Sequence, residues 1–488
     1  LNGIWIVTMK IFELKRQSDF SGFVALTQEL VIQSAAGRKL FLNSIFMTDK
    51  ELIATELDNI QSAIAVINQN ANKKDISTLY LLLSEIKDIE KTLSGLGNND
   101  VLNDIELFEV KTFALTAKKI FEIVQKFVFS NQLLLKAQTD FDLQVFDIVM
   151  KALDPENSGV ATFYIYDAYS EKLAQLRKEE SQATDTQHLA DLQIQILEIE
   201  HEIRVSLSGQ LKPYAGDLTT ALNRVAYLDL LFAKAQFAER FELCCPKISD
   251  SQTEYIGIFN PEVKAILNER GNFYQKTDIV FGNYPTLITG INMGGKTVML
   301  KTLALCQMLF QYGFYVPATQ ADIMIKDKIM FSFTDEQNHL QGLSSFAAEM
   351  KKVNEIIAQI TENSKVLVLI DELARTTNPK EGASIVSAML EILQVKQVSS
   401  FITTHYDIET TCRRLRVKGL KDDFNKDRLF DTKKITDNIR SLLNSIDYQL
   451  IDDTDGGTPN EAIRIAEMLG VNKELIIRAK TKIKQHTH

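Results

Sequence analysis

The sequence predicts an α + α/β fold, with an all-helical first half followed by an α/β domain built on a parallel sheet. Three observations predict it. Residues 1–250 hold few glycines and only three prolines, Pro155, Pro213 and Pro246, and their apolar residues recur at helical spacing. Beyond residue 250 the apolar runs PTLITG, KVLVLID and SSFITTH alternate with helical stretches, which implies parallel strands covered on both faces. One of those runs, PTLITG, opens into a glycine-rich loop and then an apolar helix, TGINMGGKTVMLKTLALCQ.

Taking the helical half first, ELIATELDNIQSAIAVI and LQIQILEIEHEIRVSLSGQL each read as long amphipathic helices. Residues 170–203 mix both charge signs with apolar spacing. They suit a helical hairpin or coiled-coil arm, or equally a solvated helix packed on the core. In the second half, CRRLRVKGLKDDFNKDRLFDTKKITDN (412–438) reads as a solvated excursion at the domain surface.

Composition narrows the function classes. A chain of 488 residues, 45% hydrophobic and 24% charged, can bury the cores of two or three domains. No apolar run reaches the ~18 residues that a membrane span needs. The start, LNGIWIVTMKIFELKRQ, has neither a basic flank nor a small-residue cleavage site and reads as no signal peptide; Leu1 points to an unusual start codon or to Met9 as the true start. Cys244, Cys245, Cys306 and Cys412 show no C-x-x-C spacing, so a reduced cytoplasmic compartment is expected. A formal net charge of −10 gives no basic footprint for nucleic acid on the chain as a whole.

The loop carries the chemistry. Gly290 to Thr297, GINMGGKT, fits G-x-x-x-x-G-K-S/T between a strand and a helix. Glycines let consecutive backbone N–H groups curl around phosphate oxygens, and the helix N-terminus adds positive potential. Lys296 would reach the β- and γ-phosphates, and the Thr297 hydroxyl would ligate magnesium, so the loop is expected to bind a nucleoside triphosphate. VLVLIDE then ends a buried strand on Asp371, placed to hold the magnesium, and Glu372, placed to orient or deprotonate the attacking water. His405 closes another apolar strand, where an imidazole could sense the γ-phosphate. Ser344 and Ser345 in GLSSFAAEM stand where a helix begins and, taken alone, read as an ordinary N-cap.

Together these pieces resemble the MutS family, a branch of the ABC-type ATPases. TGINMGGKT is similar to that family's T-G-P-N-M-G-G-K-S/T, departing at Ile291 from the usual proline. IDELARTTNPKEG resembles its D-E-L/I-G-x-G-T-x-x-x-D/E-G, TTHY its histidine switch, and FSFTDEQNHLQGLSSFAAEM its signature segment. The match is nearest to the second bacterial MutS subfamily. Upstream, residues 33–60 look like the start of the MutS core domain, and 153–177 and 222–238 like its two lever-helix segments; 456–483 resemble the closing helices through which such domains dimerise.

The resemblance implies a helical core and lever over 1–250, with a short arm near 170–216, and a P-loop ABC-type ATPase domain over 251–488 ending in dimerisation helices. It implies a homodimer in which Ser344 and Ser345 of one subunit complete the other's nucleotide site. The implied nucleotide-binding set is Gly290, Asn292, Met293, Gly294, Gly295, Lys296, Thr297 and Val298, with Tyr274 near the adenine; Thr297 and Asp371 hold magnesium, and Glu372 and His405 act in hydrolysis. The mismatch-reading domain with its F-x-E wedge, the DNA clamp and the terminal nuclease domain of relatives are not expected here. Two functions are compatible with this pattern. One is a cytoplasmic ATPase that couples nucleotide state to duplex or branched DNA in mismatch repair or recombination. The alternative is a protein-remodelling ATPase, such as a reactivating factor for a cobalamin-dependent amino-acid aminomutase.

Overall fold

The computed structural model describes residues 5–6, 9–15, 19–129, 141–290, 295–333, 342–361, 365–375, 377–420, 445–453, 461–468 and 471–486. The chain divides into two compact units. One comprises Leu1–Glu29, Ile45–Leu57 and Ala238–His488, and the other Leu30–Ser44 and Asp58–Phe237.

The first unit holds the strands. In chain order they are β1 (Trp5–Ile6), β2 (Lys247–Ser249), β3 (Thr253–Ile258), β4 (Thr277–Phe281), β5 (Pro285–Thr289), β6 (Gln320–Met324), β7 (Lys328–Ser332), β8 (Val366–Ile370), β9 (Ser399–Thr403), β10 (Arg413–Leu420) and β11 (Ile446–Asp452). Seven of them form the main sheet, in the order β1-β7-β8-β9-β5-β10-β11, and the rest a second sheet of order β2-β6-β3-β4. Within the main sheet all neighbours from β7 to β10 are parallel; β1 and β11 close the two edges antiparallel. The central strands β5, β8 and β9 are buried at every residue. That is why β8 reads as an unbroken apolar run rather than an alternation, while β5 and β9 bury Thr286, Thr289, Ser399, Ser400 and Thr403 among their apolar residues. Val366, Val368 and Ile370 of β8 pack with Ile356 of the helix Gly342–Gln359, with Ile360 just after it, and with Val386, Leu390 and Leu393 of the helix Pro379–Val395. The helix Lys296–Gln311 packs on β8 and β9 as well.

The expected surface excursion over 412–438 is corrected in its first part. Arg413–Leu420 forms β10, in parallel register with β5 from Arg413 opposite Thr286 to Arg416 opposite Thr289. Leu415 and Val417 are buried, while the charges around them find partners: Arg413 pairs with Asp452 at 2.9 Å, and Lys418 with Asp447 at 2.9 Å. Four basic residues disguise a strand when the carboxylates that balance them lie on the neighbouring strand. Residues 421–438 lie outside the described residues.

The second unit is helical. Asp104–Val124 is started by a capping box, with the Asn103 side chain accepting from the Glu106 N–H and the Glu106 carboxylate accepting from the Asn103 N–H. It buries Leu107, Val110, Ala114, Ala117, Phe121 and Val124 along one face, and Phe121 stacks on Phe146. The charged stretch near 170–203 folds as a hairpin of two packed helices, Glu171–Gln182 and Thr186–Leu211, one of the readings its sequence left open. Leu192, Ile196, Ile199, Ile203, Leu207 and Leu211 of the longer helix are buried, at the spacing its sequence shows.

The first of the two lever-like segments differs from expectation. Over 153–177 the chain is α-helical only at Leu153 and from Glu171 onward. Pro155 and the left-handed Asn157 (φ 52°) break the helix, and a buried lysine holds the next stretch of chain in place. Lys111 Nζ donates to Asp154 Oδ1 at 3.1 Å, to the Thr162 carbonyl at 2.8 Å and to Tyr166 Oη at 3.0 Å.

Candidate functional site

Strand order decides what can meet. In a parallel sheet the crevice beyond the carboxyl ends of the strands collects loops from neighbouring strands. Here β8, β9 and β5 are adjacent, so the residues after Ile370, Thr403 and Thr289 converge although they are far apart in sequence.

The loop after β5 reaches the helix Lys296–Gln311 through Gly295. Gly295 is its N-cap, at φ 75°, and Gly290 sits at φ 129°, both conformations that a side chain disfavours. Asn292, Met293 and Gly294 lie outside the described residues. Lys296 is 5% exposed, and its ammonium donates to the Gly290 carbonyl at 2.5 Å. Burial lowers its pKa to about 8, against the opposing pull of Glu372 and Asp371.

Thr297 and Asp371 meet as their motifs require. The Thr297 hydroxyl donates to Asp371 Oδ2 at 2.7 Å. The other carboxylate oxygen, Oδ1, accepts from the Thr403 hydroxyl at 2.6 Å. Thr403 Oγ1 also accepts the Glu372 N–H at 2.8 Å, so one threonine at the end of β9 orients both acids after β8. Glu372 is bridged on both sides: Oε1 lies 2.5 Å from His405 Nε2, and Oε2 lies 2.5 Å from Arg375 Nη1. Burial alone would raise the Glu372 pKa; His405 and Arg375 outweigh it and hold the carboxyl below its ordinary value. Glu372 (φ 53°) and Ala374 (φ 59°) are both left-handed, at a cost of about 1–3 kcal/mol each.

Beside Lys296 opens a cavity of about 240 Å³. Its lining includes Tyr274, Val298, Met299, Val417, Tyr448 and Leu450. Tyr274 accepts the Asn260 N–H through its hydroxyl at 3.1 Å, and burial raises its pKa. Phe273, which also lines the cavity, is 96% exposed. The cavity's far wall comes from β11, anchored to the Tyr274 loop by the Tyr448 N–H on Gln275 Oε1 at 3.1 Å. A largely apolar pocket next to a phosphate-type loop has the chemistry for a flat heterocycle.

Residues 286–487 match the family described as MutS domain V. They are a MutS domain V. That domain is an ATPase domain, so this chain carries an ATPase. Over a longer stretch the chain is similar to proteins named "Endonuclease MutS2" from Streptococcus pneumoniae. With that of strain P1031 it is 26% identical over 478 residues, 92% of this chain and 55% of the relative. With that of strain CGSP14 it is 26% identical over 474 residues, 91% and 54% respectively. With that of strain ATCC 700669 / Spain 23F-1 it is 31% identical over 305 residues, 61% and 35% respectively. The chain thus spans about half the length of the curated relatives it matches, or less.

Within the MutS domain V, the structure brings together Gly290, Gly295, Lys296, Thr297, Asp371, Glu372 and His405. Val298 and Tyr274 fall in the adjoining cavity. Ser344 and Ser345 stand in the first turn of the helix Gly342–Gln359, and their side chains lie outside the described residues. Sequence reasoning missed Thr403, Tyr448 and Arg375. Thr403 stands two residues before His405 in the run SSFITTH, but a threonine inside an apolar strand reads as β-branched filler. Tyr448 carries no signal, because its strand is not evident from the pattern around it. No helix among the described residues is long and apolar enough to cross a membrane, and all four cysteines are free.

Proposed function

We propose that this chain works as a homodimeric, ATP-hydrolysing switch that couples nucleotide state to the binding of a client. One observation carries it: the Thr297 hydroxyl lies 2.7 Å from Asp371, beside buried Lys296, with Glu372 the next residue after Asp371. A hydroxyl and a carboxylate at that separation fit a magnesium ion, which takes few protein oxygens and keeps the rest for phosphate and water. Magnesium, when bound, would offset charge on the β- and γ-phosphates.

The chain's own residues do the rest. Lys296 leaves the Gly290 carbonyl for phosphate oxygens. Glu372, polarised between His405 and Arg375, takes a proton from the water that attacks the γ-phosphorus, and the bond to the ADP oxygen breaks. Tyr274 and Val298 receive the base. Ser344 and Ser345 act across the dimer on the partner's nucleotide. Leu30–Ser44 and Asp58–Phe237 serve as core and lever, with the hairpin as arm, and the unit that holds the strands, which takes in Leu1–Glu29 and Ile45–Leu57 as well as Ala238–His488, serves as the ATPase domain.

For the client, the resemblance to the MutS family and the relatives' name favour duplex or branched DNA. The arm favours a protein client instead. In the hairpin Arg177 is engaged by Asp167 and Glu200, and Arg204 by Asp104. That leaves Lys172 and Lys178 exposed among a majority of carboxylates, and nucleic-acid affinity comes chiefly from cations on phosphates. ATP turnover measured with duplex, branched and mismatched DNA, at low and moderate salt, separates the readings. Stimulation by DNA that salt abolishes supports the first; turnover indifferent to every DNA at low salt removes it.

A further inference from the structure

The loop that carries Glu372 is held in a left-handed conformation at two non-glycine positions, and the holding groups come from elsewhere in the chain. The Ala374 N–H donates to Glu349 Oε1 at 2.7 Å, and the Ala374 carbonyl accepts the Tyr406 hydroxyl at 2.6 Å. Ala374 is fully buried, so water cannot replace either partner without the loop opening. Tyr406 is itself fixed from behind. A Cβ on Gly382, in the first turn of the helix Pro379–Val395, would stand 2.6 Å from its ring, so only glycine lets the ring lie there. Glu349 sits on the helix Gly342–Gln359, about one turn after Ser344 and Ser345.

We propose that Glu349 is a positioning residue for ATP hydrolysis, one that fixes Glu372 by accepting the Ala374 N–H and ties the catalytic loop to the helix that begins at the signature serines. The inference rests on Glu372 being the group that takes the water's proton. Glu349 acts on the path of the backbone two residues beyond Glu372, rather than on the phosphate loop or the Thr297–Asp371 pair. Displacement of the helix start would therefore move the loop through a single hydrogen bond. Burial raises the Glu349 carboxyl above its ordinary value, against the Ala374 N–H and Lys352. A neutral carboxyl still accepts through its carbonyl oxygen, and an amide in the same place would do the same.

The test uses the full chain carrying Glu349→Ala, Glu349→Gln or Tyr406→Phe. Steady-state hydrolysis of Mg-ATP is read alongside amide hydrogen exchange without nucleotide. In Glu349→Ala, kcat should fall about tenfold or more while KM stays within about twofold, since small misplacement of a reacting group is costly and the binding loop is untouched. Exchange over 371–378 should speed up about tenfold, and over 295–311 should not change. Glu349→Gln should restore both. Tyr406→Phe, which removes one hydroxyl, should loosen the same loop and lower kcat, and it decides the matter if Glu349→Ala does not fold. Wild-type exchange and kcat in Tyr406→Phe and Glu349→Ala would overturn the proposal, as would joint loss of kcat and KM that glutamine fails to rescue. A wild-type chain without turnover would sink the reading of Glu372 instead, leaving the clamp to be judged on exchange alone.

Discussion

At the residue scale, the site depends on where protons and charges sit. Glu372→Gln keeps a hydrogen-bonding group between His405 and Arg375 but removes the proton acceptor. Turnover should fall about 10²-fold or more, while binding of a fluorescent ATP analogue should hold within about twofold. Unchanged turnover would disqualify Glu372 as the base. Lys296 yields a pH prediction. Its pKa of about 8 without ligand means that above this pH a growing share of the protein is neutral at the position that should meet phosphate. Polyphosphate favours the charged form, so binding takes up protons there. Affinity for Mg-ATP should weaken as pH rises from about 8 to 9.5, approaching a tenfold loss per unit, and calorimetry in buffers of different ionisation enthalpy should register proton uptake. Affinity that is flat across that interval would contradict the assignment. The phosphate-loop lysine and the paired acids were legible because glycine spacing and an acidic strand end are chemically demanding. Thr403 was not, since one hydroxyl serving two acids is a property of strand adjacency.

At the element scale, the second unit offers a direct stability test. Lys111 and Asp154 are 0% and 3% exposed at the side chain, and each needs the other. Lys111→Met strands a buried carboxylate and should cost about 3–5 kcal/mol by urea unfolding of the full chain. A cost under about 1 kcal/mol would show that the Gly159 N–H and Ser158 suffice for Asp154. Burial pushes the Asp154 pKa up; the Gly159 N–H, Ser158 and Lys111 together bring it down to about 2. The stabilisation from this depressed value is complete above the unfolded carboxyl pKa near ~3.9 and is lost as pH falls from there towards 2. Strand β8 was legible because full burial leaves an unbroken apolar record, and the long helices because one buried face leaves a 3.6-residue period. β10 was not, because its alternating arginines and lysine look like surface until Asp452 and Asp447 appear beside them. The break at 154–170 was hidden for a related reason. A single buried lysine organises that stretch through polar contacts that no periodicity announces.

At the scale of the whole molecule, the division at Leu57/Asp58 and Phe237/Ala238 falls inside the helices Lys50–Asn68 and Ala215–Arg240. The helical character of the first half and the α/β character of the second could be read from hydrophobic period alone. The return of residues 1–29 and 45–57 to the later unit could not, because tertiary partnership leaves no local pattern. Assembly is testable here. Light scattering with Mg-ATP and the Glu372→Gln chain, which should retain nucleotide, is expected to give twice the monomer mass. A monomer under those conditions would remove the dimer from the proposed function.

The edge pairing of Trp5 and Ile6 with Met330 and Ile329 has a consequence for how the molecule is made. A ribosome must deliver roughly three hundred residues beyond Trp5 before that short strand can settle, so the border of the ATPase sheet is completed by chain synthesised long before it. A shortened version starting at Ala238 would keep every residue of the phosphate loop and yet expose the bare flank of β7, an invitation for strands from neighbouring molecules.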